Sequence, residues 1–245
     1  MNDNMRILFM GGKNIGYGCL EYLLNNNYNV IGAVVNSGDE EGQWFKSVSS
    51  LCIKKNIPVY CWKKLINNLN TIQELKPDLI TVVYFDQILK EEIINIPKLG
   101  CINLHMALAE EYRGCYPTTW ALINGETETG VTLHYIDEGI DSGDIIDQKK
   151  VKILNSDTGK TLYDKCTLAG VELFKDTFSL LKENKIACRK QKTGKRYYKK
   201  TFPTREVDLS KSVDEIKNYV RALTFKPFPP PYFWIGNRKM IIIEE

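Results

Sequence analysis

Two polar side chains stand in an otherwise apolar run at Cys101-Ile102-Asn103-Leu104-His105. In a β-strand, residues at i and i+2 share a face, so the Asn103 amide and the His105 imidazole can converge on one reacting group. Histidine exchanges protons near neutrality, and an amide N–H can donate to developing negative charge. An isolated N-x-H pair is weak evidence, because a histidine near a strand end is more often a hydrogen-bonded structural residue. A denser series follows in fixed order: Tyr112-Arg113-Gly114, Pro117, Trp120-Ala121, Gly125-Glu126-Thr127-Glu128-Thr129-Gly130-Val131-Thr132-Leu133-His134 and Asp141-Ser142-Gly143-Asp144-Ile145.

This series resembles the formyltetrahydrofolate-dependent formyltransferase family, which includes glycinamide ribonucleotide, methionyl-tRNA and sugar-nucleotide formyltransferases. The resemblance is strongest from about Tyr84 to Ile153. It implies a catalytic trio of Asn103, His105 and Asp141, the aspartate standing 38 positions beyond the asparagine. It also implies N10-formyltetrahydrofolate as cosubstrate and no metal. The residue types suit that chemistry. Attack of an amine on the formyl carbon creates a tetrahedral oxyanion, and the nitrogen must shed a proton. Acid–base work by His105 is worth about 10²- to 10⁴-fold. Donation from the Asn103 amide is worth roughly 2.7–4 kcal/mol. Asp141, read as lying in a flexible turn between Gly139 and Gly143, can orient the imidazole or a bridging water and favour the charged form of the ring. His134 is expected to be a hydrogen-bonded sheet residue near the site, with no catalytic role. Where members often read Leu-Leu-Pro, this chain has Leu108-Ala109-Glu110, which alters the loop lining.

In that family the pterin is held mainly by backbone groups of two loops, here residues 84–89 and 137–141. Phe85, Gln87, Leu89 and Ile140 are therefore the cofactor-binding candidates, although each suits ordinary loop packing equally well.

The elements that must position these groups read as strands alternating with helices. Strands are expected over 5–10, 29–35, 57–61, 79–84 and 101–105, with helices over 17–24, 45–55, 66–75 and near 90–96. That alternation predicts an α/β fold with a Rossmann-like, mostly parallel twisted sheet. Residues 131–136 and 144–153 lack a full helix between them and predict an antiparallel pair at the sheet's edge. A long amphipathic helix over 158–183, with Leu162, Cys166, Ala169, Leu173 and Leu180 near one face, is expected to pack across the sheet. A helix over 213–223 and a hairpin of strands 232–235 and 239–243 turning at Gly236-Asn237 complete the chain. The reading divides it into a catalytic domain, 1–188, and a small C-terminal module, 189–245, for substrate binding or dimerisation.

Gly11-Gly12-Lys13-Asn14-Ile15-Gly16 follows a strand and opens a helix, where backbone N–H groups can cradle phosphate. It lacks the G-x-G-x-x-G spacing, and Val34-Val35-Asn36-Ser37 offers no acidic residue for a ribose, so a nicotinamide dehydrogenase is a poor reading. A tight turn needing glycine for geometry alone is as good a reading as a phosphate loop.

The chain has 245 residues, 43% apolar and 26% charged, as ordinary soluble globular proteins do. Seven scattered cysteines without a C-x-x-C pair read as reduced thiols in a cytoplasmic protein. No apolar run reaches membrane-spanning length, and a net charge of +3 is too weak to predict a nucleic-acid partner. The basic run 189–200 mixes cations with tyrosines and could hold phosphates beside a stacked base, but the favoured reading is a solvated connector.

The tail selects among family members. Too little chain follows the core for the barrel of a methionyl-tRNA enzyme, and a glycinamide ribonucleotide enzyme would end sooner. Arg221-Ala222-Leu223 and Phe225-Lys226-Pro227-Phe228-Pro229 resemble the tail of sugar N-formyltransferases. The expected substrate is a dTDP-4-amino-4,6-dideoxyhexose destined for a surface polysaccharide such as an O-antigen. Lys13, Arg113, Lys195, Tyr197 and Tyr232 are the candidates for phosphate or base contacts. Phe228 and Phe233 read as packing or dimer-interface residues, and the hairpin as an edge for a homodimer. Competing readings are formylation of another small amine, glycinamide ribonucleotide or a UDP-aminosugar among them, and a non-catalytic folate or nucleotide sensor.

Overall fold

The computed structural model describes residues 5–40, 44–182, 187–192, 196–199 and 201–243. Its sheet begins with strand β1 (Ile7–Gly11), helix α1 (Lys13–Asn25), β2 (Val30–Val35), α2 (Val48–Lys54), β3 (Val59–Tyr60), α3 (Leu69–Leu75) and β4 (Leu79–Val83). Next come α4 (Glu91–Ile94), β5 (Cys101–His105), β6 (Tyr112–Gly114), α5 (Pro117–Ile123), β7 (Glu128–Tyr135), β8 (Ile145–Lys152) and α6 (Gly159–Lys182). The tail holds β9 (Arg196–Tyr198), α7 (Val213–Leu223) and the hairpin β10 (Tyr232–Ile235) and β11 (Arg238–Ile241). Seven strands form one sheet in the order β3-β2-β1-β4-β5-β7-β8, the first five parallel and the last two antiparallel, as the alternation predicts.

Every residue of β1 and β4 is buried, which explains why these strands read as unbroken apolar runs. The period of two then divides the core. Ile7 and Phe9 face a cluster with α1, α2 and α6, whereas Leu8 and Met10 face a second with α3 and α4. Gly11 is required by contact, because a β-carbon there would collide with the Val83 carbonyl of β4. Geometry alone therefore accounts for the first glycine of the early turn.

Several boundaries and contacts differ from the sequence reading, each for a local reason. Helix α2 starts at Val48 rather than 45, since Ser47 is extended (φ −81, ψ 126) and its hydroxyl accepts from Ser50 N–H. Leu180 is 44% exposed. The last turns of α6 are held instead by Phe174 and Phe178, which pack edge-on against Tyr22 and Tyr28. Strands β6 and β9, each of three residues, pair in parallel and were not anticipated. Helix α7 forms over the expected residues behind a capping box of Ser212 and Glu215.

Phe174 is fully buried between Tyr22 and Phe178. Phe174→Ala should therefore cost about 3–5 kcal/mol of stability, read as a lower urea midpoint at an unchanged denaturant slope.

Candidate active site

Strand β5 lies between β4 and β7 and turns Ile102 and Leu104 into the α1/α6 cluster. Its other face carries Cys101, which closes the second cluster, then Asn103 and His105 toward the strand's carboxyl end. Register places Asn103 opposite His134 of β7. The turn 137–143 after β7 folds back so that Asp141 meets both β5 side chains.

Asn103 Nδ2 donates to Asp141 Oδ1 at 3.1 Å and lies 3.2 Å from His134 Nε2. His105 Nδ1 is 3.6 Å from Asp141 Oδ2, and Gly114 N–H donates to the same oxygen at 2.8 Å. The three residues expected from sequence therefore meet at one point. Hydrogen bonding also fixes the tautomers. His105 Nε2 faces the Tyr112 carbonyl at 2.9 Å, and a carbonyl only accepts, so Nε2 carries the hydrogen and Nδ1 is the basic nitrogen beside Asp141. His134 Nδ1 likewise donates to Tyr135 O at 2.7 Å, leaving Nε2 to accept from Asn103. Both amide hydrogens of Asn103 are thus directed at partners, so donation to an oxyanion requires exchange of one of them.

Asp141 is buried, which pushes its carboxyl up; the positive charge that His105 and His134 carry once protonated, a bond that protonated His134 then donates and the Gly114 N–H outweigh this and hold it well below the usual carboxylate range. Its backbone is left-handed at φ 48. The turn is tightly closed rather than flexible. Asp137 Oδ1 accepts from Gly139 N–H at 3.0 Å and Ser142 Oγ at 2.7 Å, and a β-carbon on Gly143 would collide with the Tyr135 carbonyl. Glycine serves close approach here.

The cofactor candidates sit on two loops that share a foundation. Phe85 and Leu89 pack on the α3/α4 cluster, as does Ile136 at the root of the Asp141 turn, with Ile140 three residues before Gly143. The Gln87 carboxamide is committed to structure, accepting from Leu65 N–H at 2.7 Å and donating to Trp62 O at 2.8 Å. Side chains at 85, 87 and 89 thus anchor the loop.

Among the substrate candidates, Lys13 stacks its ammonium 3.3 Å from the Phe45 ring centre and 5.5 Å from that of Trp44. Burial lowers its pKa against the opposing pull of Asp39 and Asp86. Arg113 Nη2 donates to Gln191 Oε1 at 2.8 Å and Lys192 O at 3.1 Å. Backbone pairing sets Tyr197 opposite Arg113. Tyr232 contacts Arg205, Val207, Trp234 and Lys239, in the hairpin. Lys195 lies outside the described residues.

At residues 189–192 of the basic run, specific contacts replace the solvated-connector reading. Arg189 forms a two-pronged pair with Glu110 at 3.0 and 2.9 Å and bridges Ile145 through its backbone. Gln191 Nε2 donates to Asp141 O at 3.0 Å and Gly143 O at 2.7 Å. Glu110, at the departure from Leu-Leu-Pro, is thus an anchor for this segment. Sequence reasoning missed Gln191, whose sole local signal is a neutral carboxamide among cations. Among the described residues, no helix is long and apolar enough to cross a membrane, and no group of three or more His, Cys, Asp or Glu side chains is placed to hold a metal ion.

An imidazole, an amide donor and a buried carboxylate thus stand around one point, and these are the group types that acid–base acyl transfer uses. Residues 25–178 match the formyl transferase family, and the chain belongs to it. It is an enzyme of formyl transfer. The methionyl-tRNA formyltransferase of Clostridioides difficile is 39% identical over 236 residues, 93% of this chain and 76% of that protein. Among solved structures, WlaRD, a sugar 3N-formyl transferase determined with dTDP and 5-N-formyl-THF, superposes with a TM-score of 0.80 at 28% identity, over 97% of this chain and 85% of that one. The N-formyltransferase of Helicobacter canadensis, in complex with folinic acid and dTDP-3-aminofucose, gives 0.81 at 29% identity, over 96% of this chain and 86% of its own.

A carboxyl whose folded pKa is depressed contributes stability above its unfolded value and loses it as pH falls through the folded one. Asp141 therefore stabilises the fold fully above about pH 5, and that share should fade below about pH 4. In urea unfolding the native chain should lose more stability over this range than Asp141→Asn; parallel curves would contradict the pairing.

Proposed function

We propose that the chain transfers the formyl group of N10-formyltetrahydrofolate to the amine of a dTDP-linked aminodideoxyhexose, with a dTDP-4-amino-4,6-dideoxyhexose as the specific acceptor. The likeness along nearly the whole chain, tail included, to two sugar N-formyltransferases solved with dTDP compounds and formylated folates supports a dTDP-linked aminosugar. One of these is a sugar 3N-formyl transferase and the other holds dTDP-3-aminofucose, so the 4-position rests on the tail's resemblance alone and the 3-amino sugar is tried beside it. In this reading the amine attacks the formyl carbon, and the new C–N bond forms as the carbonyl oxygen takes negative charge. His105 Nδ1 accepts the proton shed by the amine, and the Asp141 carboxylate 3.6 Å away steadies the imidazolium. Asn103 exchanges its 3.2 Å contact with His134 for the oxyanion. Collapse breaks the bond to folate N10, which recovers the proton from His105. Each step needs only proton transfer and positioned dipoles.

The loops 84–89 and 137–141 present backbone groups to the pterin, their side chains Phe85, Gln87 and Leu89 fixing the first loop and Ile140 lying on the second. Lys13, partly stripped of water among aromatic rings, is the cation best prepared for a phosphate. Arg113, Lys195, Tyr197 and Tyr232 complete the candidate contacts. Exposed Trp234, Ile235, Met240 and Ile241 on the hairpin suit a homodimer face, which light scattering of the full chain tests. Because a relative at 39% identity is a methionyl-tRNA formyltransferase, methionyl-tRNA is the second acceptor to be tried.

Formylation assays should pair N10-formyltetrahydrofolate with nucleotide-linked aminosugars, glycinamide ribonucleotide and methionyl-tRNA. Turnover is expected with the dTDP-aminosugar; preference for tRNA would replace the acceptor, and binding without turnover would indicate a sensor. His105→Asn and Asn103→Ala should each lower kcat about a hundredfold or more with little change in nucleotide affinity.

A further inference from the structure

The bonds around Asp141 close a ring outside the trio. Its carboxylate accepts from Gly114 N–H at 2.8 Å. The neighbouring Arg113 donates to Gln191 Oε1 at 2.8 Å, and Gln191 Nε2 returns to Asp141 O at 3.0 Å and Gly143 O at 2.7 Å. One carboxamide therefore ties strand β6 to the turn that carries the catalytic carboxylate. Its two ends are chemically matched to their partners, since the NH₂ faces two carbonyls and the oxygen faces a guanidinium. Glutamate, of the same shape, would have no donor for the carbonyls.

That grip is applied where the backbone needs it. Asp141 adopts φ 48, a left-handed conformation that aspartate tolerates better than most residues but that still costs a side chain unless neighbouring contacts hold it. Gln191 is itself firmly seated. Arg189 pairs with Glu110, and Lys192 N–H donates to Glu110 Oε1 at 2.9 Å, so the segment is pinned on both sides of the glutamine.

We propose that Gln191 is a positioning residue for formyl transfer: it holds the Asp141 turn in its left-handed conformation, so that the carboxylate stays on Asn103 and His105. It acts on the chemistry only through Asp141. The proposal rests on the reading of Asn103, His105 and Asp141 as the catalytic trio.

A double-mutant cycle on the full chain, assayed with formyltetrahydrofolate and the acceptor that turns over, tests it. Gln191→Ala should lower kcat about 10- to 100-fold while KM for both substrates stays within about threefold. Gln191→Glu should behave like the alanine variant. Asp141→Asn should lose more, and adding Gln191→Ala to it should cost nothing further, because residues acting through one group are not additive. Losses that multiply in the double variant would overturn the proposal, as would a fall in kcat that tracks a fall in Tm across the glutamine variants. Normal turnover of Gln191→Ala beside an impaired Asp141→Asn would overturn it alone, whereas normal turnover of Asp141→Asn would overturn the trio and the proposal with it.

Discussion

A single buried charge governs the geometry of this site. A carboxylate withdrawn from water is tolerated only where it is paired and hydrogen-bonded, and Asp141 finds its partners on three different strands. Asn103 and His105 come from β5, His134 from β7 and the Gly114 N–H from β6. The charge is stable only when those strands are correctly placed, so packing and chemistry are specified by the same contacts. The tautomers follow from the same logic, because backbone carbonyls at Tyr112 and Tyr135 claim one nitrogen of each imidazole and leave the other toward Asp141.

The antiparallel edge of the sheet is what lets the charge reach β5. Parallel strands need long crossovers, whereas β7 runs back along β5 and delivers the turn 137–143 directly beside it. Register matters as much as direction. A slip of one residue between β5 and β7 would turn His134 into the α1/α6 cluster, among Leu133 and Leu104, and strip Asn103 of a partner. Burial of Ile102, Leu104, Val131 and Leu133 on that face makes the slip costly, so the apolar half of each strand holds the polar half in place.

What could be read from the sequence was whatever depends on short periods. Asn103 and His105 share a face because strands repeat every two residues, and the central strands announce themselves because both faces are buried. Helix α7 was legible as a short local run, and the structure adds that Ser212 and Glu215 cap its start. Strands β6 and β9 were not, since three-residue strands carry no period and their pairing joins residues more than eighty positions apart. The role of Glu110 was hidden for the same reason: its partner Arg189 is 79 residues away, in a run whose composition suggests a solvated connector. The turn at Asp141 was misread as flexible because glycine is also the residue that permits two backbones to touch, and only the fold distinguishes those uses.

Long-range contact of this kind also explains how the tail is held in register with the chemistry. Trp44 meets Phe45, Tyr163, Phe225 and Phe228 with ring centres 5.0–5.9 Å apart, joining a loop before α2, helix α6 and the segment after α7. Tyr163 in turn meets Tyr84, which opens the loop after β4, and Tyr116 at the start of α5 meets Phe202 of the tail at 5.0 Å. Edge-on ring pairs contribute about 0.5–1.5 kcal/mol each beyond the area they bury, so a network of them resists relative sliding of the segments it joins. A residue on the tail is therefore fixed relative to the loop 84–89 through a few ring contacts, and relative to Asp141 through Gln191. An acceptor gripped by the tail would arrive at the carboxyl end of β5 in a defined pose, which is what positioning an amine against a formyl carbon demands.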